Sequence, residues 1–170
     1  MEATLPTASD AARQMIGGCL LDPSQIAKAA KLVRPGAIFE PLDRATWFTI
    51  VNMHRIGEPV DVITVCQKLK GRIEFDGESP AAYLAEVGRS VITAANVPYH
   101  ASLVAEAYLK RRIHHEASTI ATEALNGKAG ADLLADWGAV VEDFRRDQAG
   151  GERFKPITAR ELANGDYRVD

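Results

Sequence analysis

The feature that most constrains the fold is a long stretch without helix-breaking residues in the second half of the chain. Asn96 can cap a helix and Pro98 suits its first turn, and neither proline nor glycine recurs until Gly127. About thirty helical residues, at a rise of about 1.5 Å each, extend about 45 Å, which is more than a compact bundle of short helices needs. The pattern therefore predicts a long helix, part of which projects as an arm.

The residues that follow this helix indicate a helical hairpin. Residues 127–130 make a short turn, and a returning helix is predicted from Ala131 to about Asp147. Apolar side chains at helical spacing would meet between the two helices and form a protein interface, comprising Leu109, Ile113, Ile120, Leu133, Leu134, Trp137, Val140, Val141 and Phe144. Because a hairpin buries only one face of each helix, this wide apolar surface requires a third partner. The sequence therefore predicts self-association, unless the stripe packs onto the rest of the chain.

Start and stop signals in the first half of the chain indicate several shorter helices. Capping residues, and prolines suited to a first helical position, occur at intervals along it. They predict helices from about Ala8 to Leu21 with Thr7 as the cap, from Asp22-Pro23 to near Val33, from Pro41 to about Ile56, and onward from Asp61 and from Ser79-Pro80. Only residues 72–77 alternate with period two, and this segment is too short to form a sheet of its own.

The fold class predicted from these patterns is all-α, with a compact bundle of short helices followed by a long helical hairpin. We expect residues 1–95 to form a globular helical head and residues 96–147 a hairpin arm, the two together making one domain. Residues 148–170 are typical of a flexible linker that leads into a further element. The chain is therefore expected to be a fragment of something longer.

Charge and composition argue against several classes of protein. A net charge of −3 lacks the basic excess of a dedicated nucleic-acid-binding domain. The sequence has 46% hydrophobic and 25% charged residues, which is typical of a soluble globular protein, and no apolar stretch is long enough to span a bilayer. No secretory signal is visible, and Cys19 and Cys66 are predicted to be buried free thiols. A cytoplasmic location is expected.

The sequence contains no recognisable motif that carries catalysis or binds a cofactor. A phosphate-binding loop needs glycine, four residues and then Gly-Lys-Ser or Gly-Lys-Thr, and the one Gly-Lys pair, Gly127-Lys128, fails at both remaining positions. His114 and His115 point about 100° apart around a helix, which favours surface or interface histidines over metal ligands. We therefore predict no catalytic residue, no cofactor-binding residue and no metal ligand in this chain.

A basic run on the long helix, Lys110-Arg111-Arg112, leaves two interpretations open. It could contact a phosphate backbone, with Arg145-Arg146 on the returning helix nearby. Three consecutive residues, however, spread around a helix instead of lining one side, which favours a solvated or protein-contacting face. DNA binding by this region is expected to be weak or absent.

Several stretches resemble, in order, the N-terminal domain of DnaB-type replicative helicases. The most specific is residues 57–64, with the pattern Gly-x-Pro-x-Asp-x-x-Thr. The others are residues 10–22 with their Gly17-Gly18 pair, residues 38–48, residues 82–87 with Ala-Tyr-Leu, and residues 95–112. Each glycine inside a helix costs about 1 kcal/mol relative to alanine, so the pair predicts close backbone packing. Asp43 departs from the pattern, because a histidine is common there in the family.

The resemblance implies a helical head and a hairpin that dimerises with its neighbour, giving a trimer-of-dimers collar on one side of a hexameric ring. The implied partners are further copies of the chain, a primase and a helicase loader, with no membrane. The resemblance also places ATP and Mg²⁺ in a RecA-like motor domain outside this chain, which would then be a non-catalytic collar. The residues themselves leave two alternatives open, a DNA-binding helical domain and a freestanding adaptor protein.

Overall fold

The structure is a computed structural model that describes residues 5–148. These residues form seven α-helices and no β-strand, which confirms the all-α prediction. The helices are α1 Ser9–Leu21, α2 Ile26–Leu32, α3 Pro41–Arg55, α4 Val62–Leu69, α5 Pro80–Ser90, α6 Val97–Leu125 and α7 Gly130–Gln148. Short 3₁₀ turns precede α2, α3 and α5, at Pro23–Gln25, Pro35–Ala37 and Ile73–Phe75. The predicted linker and tail lie, after Gln148, outside the described residues.

The described chain divides into two compact units. The head unit, residues 7–108, contains α1 to α5 and the start of α6, and the hairpin unit contains residues 109–148 with residues 5 and 6. The predicted division into a head of residues 1–95 and a hairpin of residues 96–147 stays a prediction. Among the described residues, no helix combines the length and the hydropathy that crossing a membrane requires.

Helix α3 forms the centre of the head unit. It packs against α1, α2 and α4. Trp47 and Ile50 on this helix are fully buried. The indole Nε1 of Trp47 donates a 2.9 Å hydrogen bond to the carbonyl oxygen of Val33, at the end of α2, so its polar atom is satisfied inside the core. Most of the residues of α3 are therefore buried in the core of the head unit.

Two of the predicted caps are present as the sequence suggests. The Asp61 carboxylate accepts hydrogen bonds from the backbone N–H groups of Ile63 and Thr64, each at 2.8 Å, and the Thr64 side chain completes a capping box. The Ser79 hydroxyl accepts the N–H of Ala82 at 3.3 Å and opens α5. These bonds satisfy backbone donors that a helix start otherwise leaves open.

The start of α1 differs from the prediction. Thr7 is not its cap, because Ala8 occupies the N-cap position with a φ of 53° and the helix begins at Ser9. This left-handed conformation is uncommon for a residue with a β-carbon, and it places the first helical turn one residue later than the sequence suggested. The period-two segment, residues 72–77, forms the 3₁₀ turn Ile73–Phe75.

The glycine pair of α1 allows this helix to approach α5 and the start of α6 closely. A β-carbon added to Gly17 would lie 2.5 Å from Cγ2 of Val91, and one added to Gly18 would lie 2.3 Å from Cγ2 of Val97. Neither distance is possible without movement of a packed valine. The close packing predicted from this pair is confirmed.

We expect Gly18→Ala to lower the free energy of unfolding by about 1–2 kcal/mol, because the clash with Val97 outweighs the better helix propensity of alanine. Gly88→Ala in α5 is the matched control, since a β-carbon there meets nothing within 4 Å, and it should raise stability by up to about 1 kcal/mol. Urea unfolding measures both. Equal stabilisation by the two substitutions would contradict the close approach.

Candidate protein-interaction surface

One arginine of the hairpin unit joins its two helices. The guanidinium of Arg112, on α6, forms ion pairs with Asp143 at 2.8 Å and with Asp147, both on α7. The same group lies over the ring of Phe144, with 4.6 Å between Cζ and the ring centroid. Phe144 is buried. Arg112 therefore holds α6 and α7 side by side over about one turn of α7.

The turn between the two helices is closed by a lysine. Gly127 adopts a φ of 82°, and the Nζ of Lys128 lies 2.7 Å from a carboxylate oxygen of Glu123 and 2.5 Å from one of Asp136. The bonds with Asp136, and then those with Glu123, raise the pKa of Lys128. Lys128, which belongs to the Gly-Lys pair that does not match a phosphate-binding loop, thus links the end of α6 to the start of α7.

The predicted interface residues differ widely in exposure. Leu134 is 75% exposed and Ile113 is 42% exposed. At the other extreme Phe144 is buried, and the half-buried members are Leu109, Ile120, Leu133, Trp137, Val140 and Val141. Leu125, the last residue of α6, lies outside the predicted apolar stripe and is 89% exposed.

The differences in exposure separate two kinds of residue within the predicted interface. Phe144 already contacts Arg112 inside the hairpin, so it contributes to the pairing of the helices. Leu134 and Ile113 keep much of their apolar surface in contact with solvent. Such exposed aliphatic side chains are available for contact with another protein. Their assignment to an interface stays a prediction.

Two residues of the basic run make contacts within the hairpin unit. Arg112 pairs with α7, and Nη1 of Arg111 donates a 2.7 Å hydrogen bond to the carbonyl oxygen of Pro6. Both guanidinium groups are therefore bound to other residues of the chain. This favours contact with protein over contact with a phosphate backbone for residues 110–112.

The paired histidines of α6 and the two free cysteines differ in their exposure to solvent. His114 and His115 are exposed, and no group of three or more potential ligands is assembled among residues 5–148. Cys19 is buried, and burial raises the pKa of its thiol to about 12, so the nucleophilic thiolate is disfavoured. Cys66 is half-buried and also a free thiol.

A buried polar cluster in the head unit was not anticipated from the sequence. The side chain of Asp43, on α3, is fully buried. Its Oδ1 accepts a 2.6 Å hydrogen bond from the hydroxyl of Tyr83 on α5 and lies 3.4 Å from Nε of Arg13 on α1. Burial raises the pKa of Asp43, although Tyr83 and Arg13 oppose the shift. The cluster connects three helices through one carboxyl group.

This cluster predicts a pH dependence of stability. Since the pKa of Asp43 is raised in the folded state above its ordinary value of 3.8, the folded chain retains this proton longer than the unfolded chain as pH rises. Unfolding free energy of the wild type should therefore fall, relative to that of Asp43→Asn, from about pH 4 upward until the folded-state pKa is passed.

The opposite pH dependence of stability is expected at Asp61. The pKa of this residue is lowered, and the largest cause is its hydrogen bond with the backbone N–H of Thr64. There the wild type should gain stability relative to Asp61→Asn as pH rises toward the ordinary value of 3.8, and the difference should level off above about pH 4 to 5. Urea unfolding at a series of pH values measures both differences. The same slope for the two variants would contradict the structure of the Asp43 cluster.

Comparison with a family model identifies a match over residues 4–106, to the family described as DnaB-like helicase N terminal domain. The replicative DNA helicase DnaB of Geobacillus stearothermophilus is 28% identical over 154 residues, which cover 89% of this chain and 34% of that protein. The DnaB of Leifsonia xyli subsp. xyli is 35% identical over 133 residues, covering 78% of this chain and 29% of the relative. The chain thus spans about a third of the length of these relatives.

Two solved structures share the fold. The N-terminal domain of the DnaB helicase from Mycobacterium tuberculosis matches with a TM-score of 0.73 and 31% identity, over 82% of this chain and 99% of that one. A structure described as that of a DnaB-like replicative helicase and its interactions with primase matches with a TM-score of 0.61 and 18% identity, over 92% of this chain and 35% of that one. At that identity the second likeness concerns the fold alone.

Proposed function

Because the chain belongs to the family of DnaB-like helicase N-terminal domains, we propose that it forms the collar of a replicative DNA helicase. In this role it joins subunits through its hairpin and presents a docking surface for primase or a helicase loader. The observation that carries the proposal is the exposure of Leu134 and Ile113 on a hairpin whose own helices are already paired. The work of the chain is then assembly and recognition during DNA replication.

Self-association follows from what the hairpin leaves uncovered. The ion pairs of Arg112 and the buried ring of Phe144 account for the contact between α6 and α7. A second copy of the chain could cover Leu134, Ile113 and the half-buried Trp137 in a two-fold arrangement, in which the same patch serves both partners. Dimers of this kind are the units from which a hexameric ring could be assembled.

Docking of primase is supported by likeness to a helicase described with its interactions with primase. The net charge of −3 also favours a protein partner over duplex DNA. We further propose that ATP and Mg²⁺ bind in a separate motor domain of the helicase, that the chain itself hydrolyses no nucleotide, and that it acts in the cytoplasm. Lys128, the lysine nearest to a phosphate-loop pattern, is engaged by Glu123 and Asp136.

The cognate primase C-terminal domain is expected to bind the wild-type chain in a calorimetric titration, with a dissociation constant that depends little on salt. Duplex DNA should bind more weakly, and its affinity should fall with salt as phosphate contacts are screened. If docking needs assembled dimers, Leu134→Asp will weaken primase binding together with self-association. No binding of primase, combined with tight and salt-sensitive binding of DNA, would replace this proposal with the DNA-binding alternative.

A further inference from the structure

A small groove opens on the head unit between the start of α3 and the 3₁₀ turn Ile73–Phe75. Its apolar walls are Pro35, Pro41 and Phe48, and Arg44, Arg72 and Glu74 supply its polar groups. The groove encloses about 160 Å³. This volume is below the range of about 300–1,000 Å³ that small-molecule sites occupy, and it suits one or two side chains of a protein partner.

The groove holds two guanidinium groups and one carboxylate. Arg72 donates from Nη2 and Nε to the two oxygens of Glu74, at 2.9 and 3.2 Å, and its Cζ lies 5.4 Å from the centroid of the Phe48 ring. These hydrogen bonds with Arg72 lower the pKa of Glu74, and the charge of Arg44 contributes in the same direction. Glu74 therefore balances one of the two positive charges, and the groove keeps an excess of one.

Among residues 5–148, no ion pair joins Arg44 to a carboxylate in the way that Arg72 is joined to Glu74. Its Nη2 donates a 2.7 Å hydrogen bond to the carbonyl oxygen of Phe39. Its Nε is buried and has no acceptor among the residues that the structure describes. A guanidinium carries five N–H donors in a fork that matches a carboxylate, so Arg44 can accommodate an additional anionic acceptor.

Two residues with exposed apolar side chains are connected to these polar groups, one through the chain and one through a backbone hydrogen bond. Ile73, which lies between Arg72 and Glu74 in the chain, is 84% exposed, and Phe39, whose carbonyl oxygen is bound by Arg44, is 45% exposed. An occupant with a carboxylate next to an apolar side chain would match both features. A nucleic-acid phosphate fits less well, because Glu74 lies in the groove and the net charge of the chain is −3.

We propose that this groove is a docking site for an extended segment of a protein partner that carries an aspartate or glutamate beside an apolar residue. The carboxylate pairs with Arg44, and the apolar side chain packs on Ile73 and Phe39. The site uses residues of the head unit alone, so it operates whether or not the hairpin dimerises. It adds to the proposed collar a recognition surface for acidic, apolar peptides.

Selection from a phage-displayed library of random heptapeptides on the complete chain tests this inference. We expect enrichment of sequences that place an acidic residue next to a large apolar one. The most enriched peptide is then synthesised with its acidic residue intact or changed to the amide, and both forms are titrated against the chain by calorimetry. Arg44→Gln and the amide peptide should each weaken binding by about tenfold or more.

Two further variants complete the test. Arg89→Gln, on the exposed surface of α5, removes the same charge outside the groove and should leave the affinity unchanged. Ile73→Ser changes a side chain that is 84% exposed, so this variant should fold normally. It should bind the peptide severalfold more weakly, and it therefore tests the proposal even if Arg44→Gln does not fold. Enrichment without acidic residues, equal binding by Arg44→Gln and Arg89→Gln, or displacement of the peptide by duplex DNA at equal concentration would overturn the proposal.

Discussion

Replacement of Trp47 by alanine is expected to lower the free energy of unfolding by about 3–5 kcal/mol, a large share of the stability of a domain of this size. The indole is fully buried at the centre of the head unit. Its removal leaves a cavity in the core of the head unit, and it leaves the carbonyl oxygen of Val33 without the hydrogen bond that Nε1 donates at 2.9 Å. Urea unfolding followed by circular dichroism gives the magnitude.

Trp47→Phe divides this effect into its two parts. Phenylalanine keeps most of the buried apolar surface and loses the bond to Val33, so a smaller loss of about 1–3 kcal/mol is expected. Trp137→Ala, at a half-buried position in the hairpin unit, should cost less than Trp47→Ala. If the two alanine variants lost equal stability, Trp47 would not be the centre of the core.

The helices could be predicted from the sequence because local signals fix them. The Asp61 capping box and the long helix without breakers depend on residues within a few positions of one another, and both are present. The prediction of Thr7 as the cap was wrong because Ala8 adopts a left-handed backbone conformation, which the pattern of side chains does not indicate. Local signals, in short, specify elements better than they specify where an element starts.

The buried cluster and the groove could not be predicted, because each joins residues far apart in the chain. Asp43 lies in the first turn of α3, and its charge favours a solvent position until Tyr83, forty residues later, is placed against it. In the groove, Arg44 meets Arg72 and Glu74 only after α3 and the third 3₁₀ turn have packed together. Periodicity contains no information about contacts at such separations.

Helical spacing also gave an incomplete prediction of the interface. Helical spacing placed Leu134 and Phe144 in one apolar stripe, but it could not tell which member is covered within the hairpin. The structure covers Phe144 with the guanidinium of Arg112 and leaves Leu134 exposed. A charged residue at position 144 would therefore disturb the hairpin itself, whereas one at position 134 tests association.

Leu134→Asp is expected to raise the dissociation constant for self-association by about tenfold to a hundredfold. Leu134 is 75% exposed in the single chain, so the substitution should change the stability of the fold itself by no more than about 0.5 kcal/mol. In a dimer the aspartate would be buried against apolar side chains of the second copy without a partner for its charge. Ile113→Asp on α6 should act in the same direction.

Sedimentation velocity over a range of concentrations, with circular dichroism as the check on folding, measures this effect. Ala139→Asp adds the same charge to the same helix at an exposed position about 140° around from Leu134, so it should leave the dimer intact. Equal dissociation by the two variants would indicate general charge repulsion instead of a specific interface. A wild-type chain that stays monomeric at the highest concentration tested would remove the basis for self-association, because solvent alone would then cover Leu134 and Ile113.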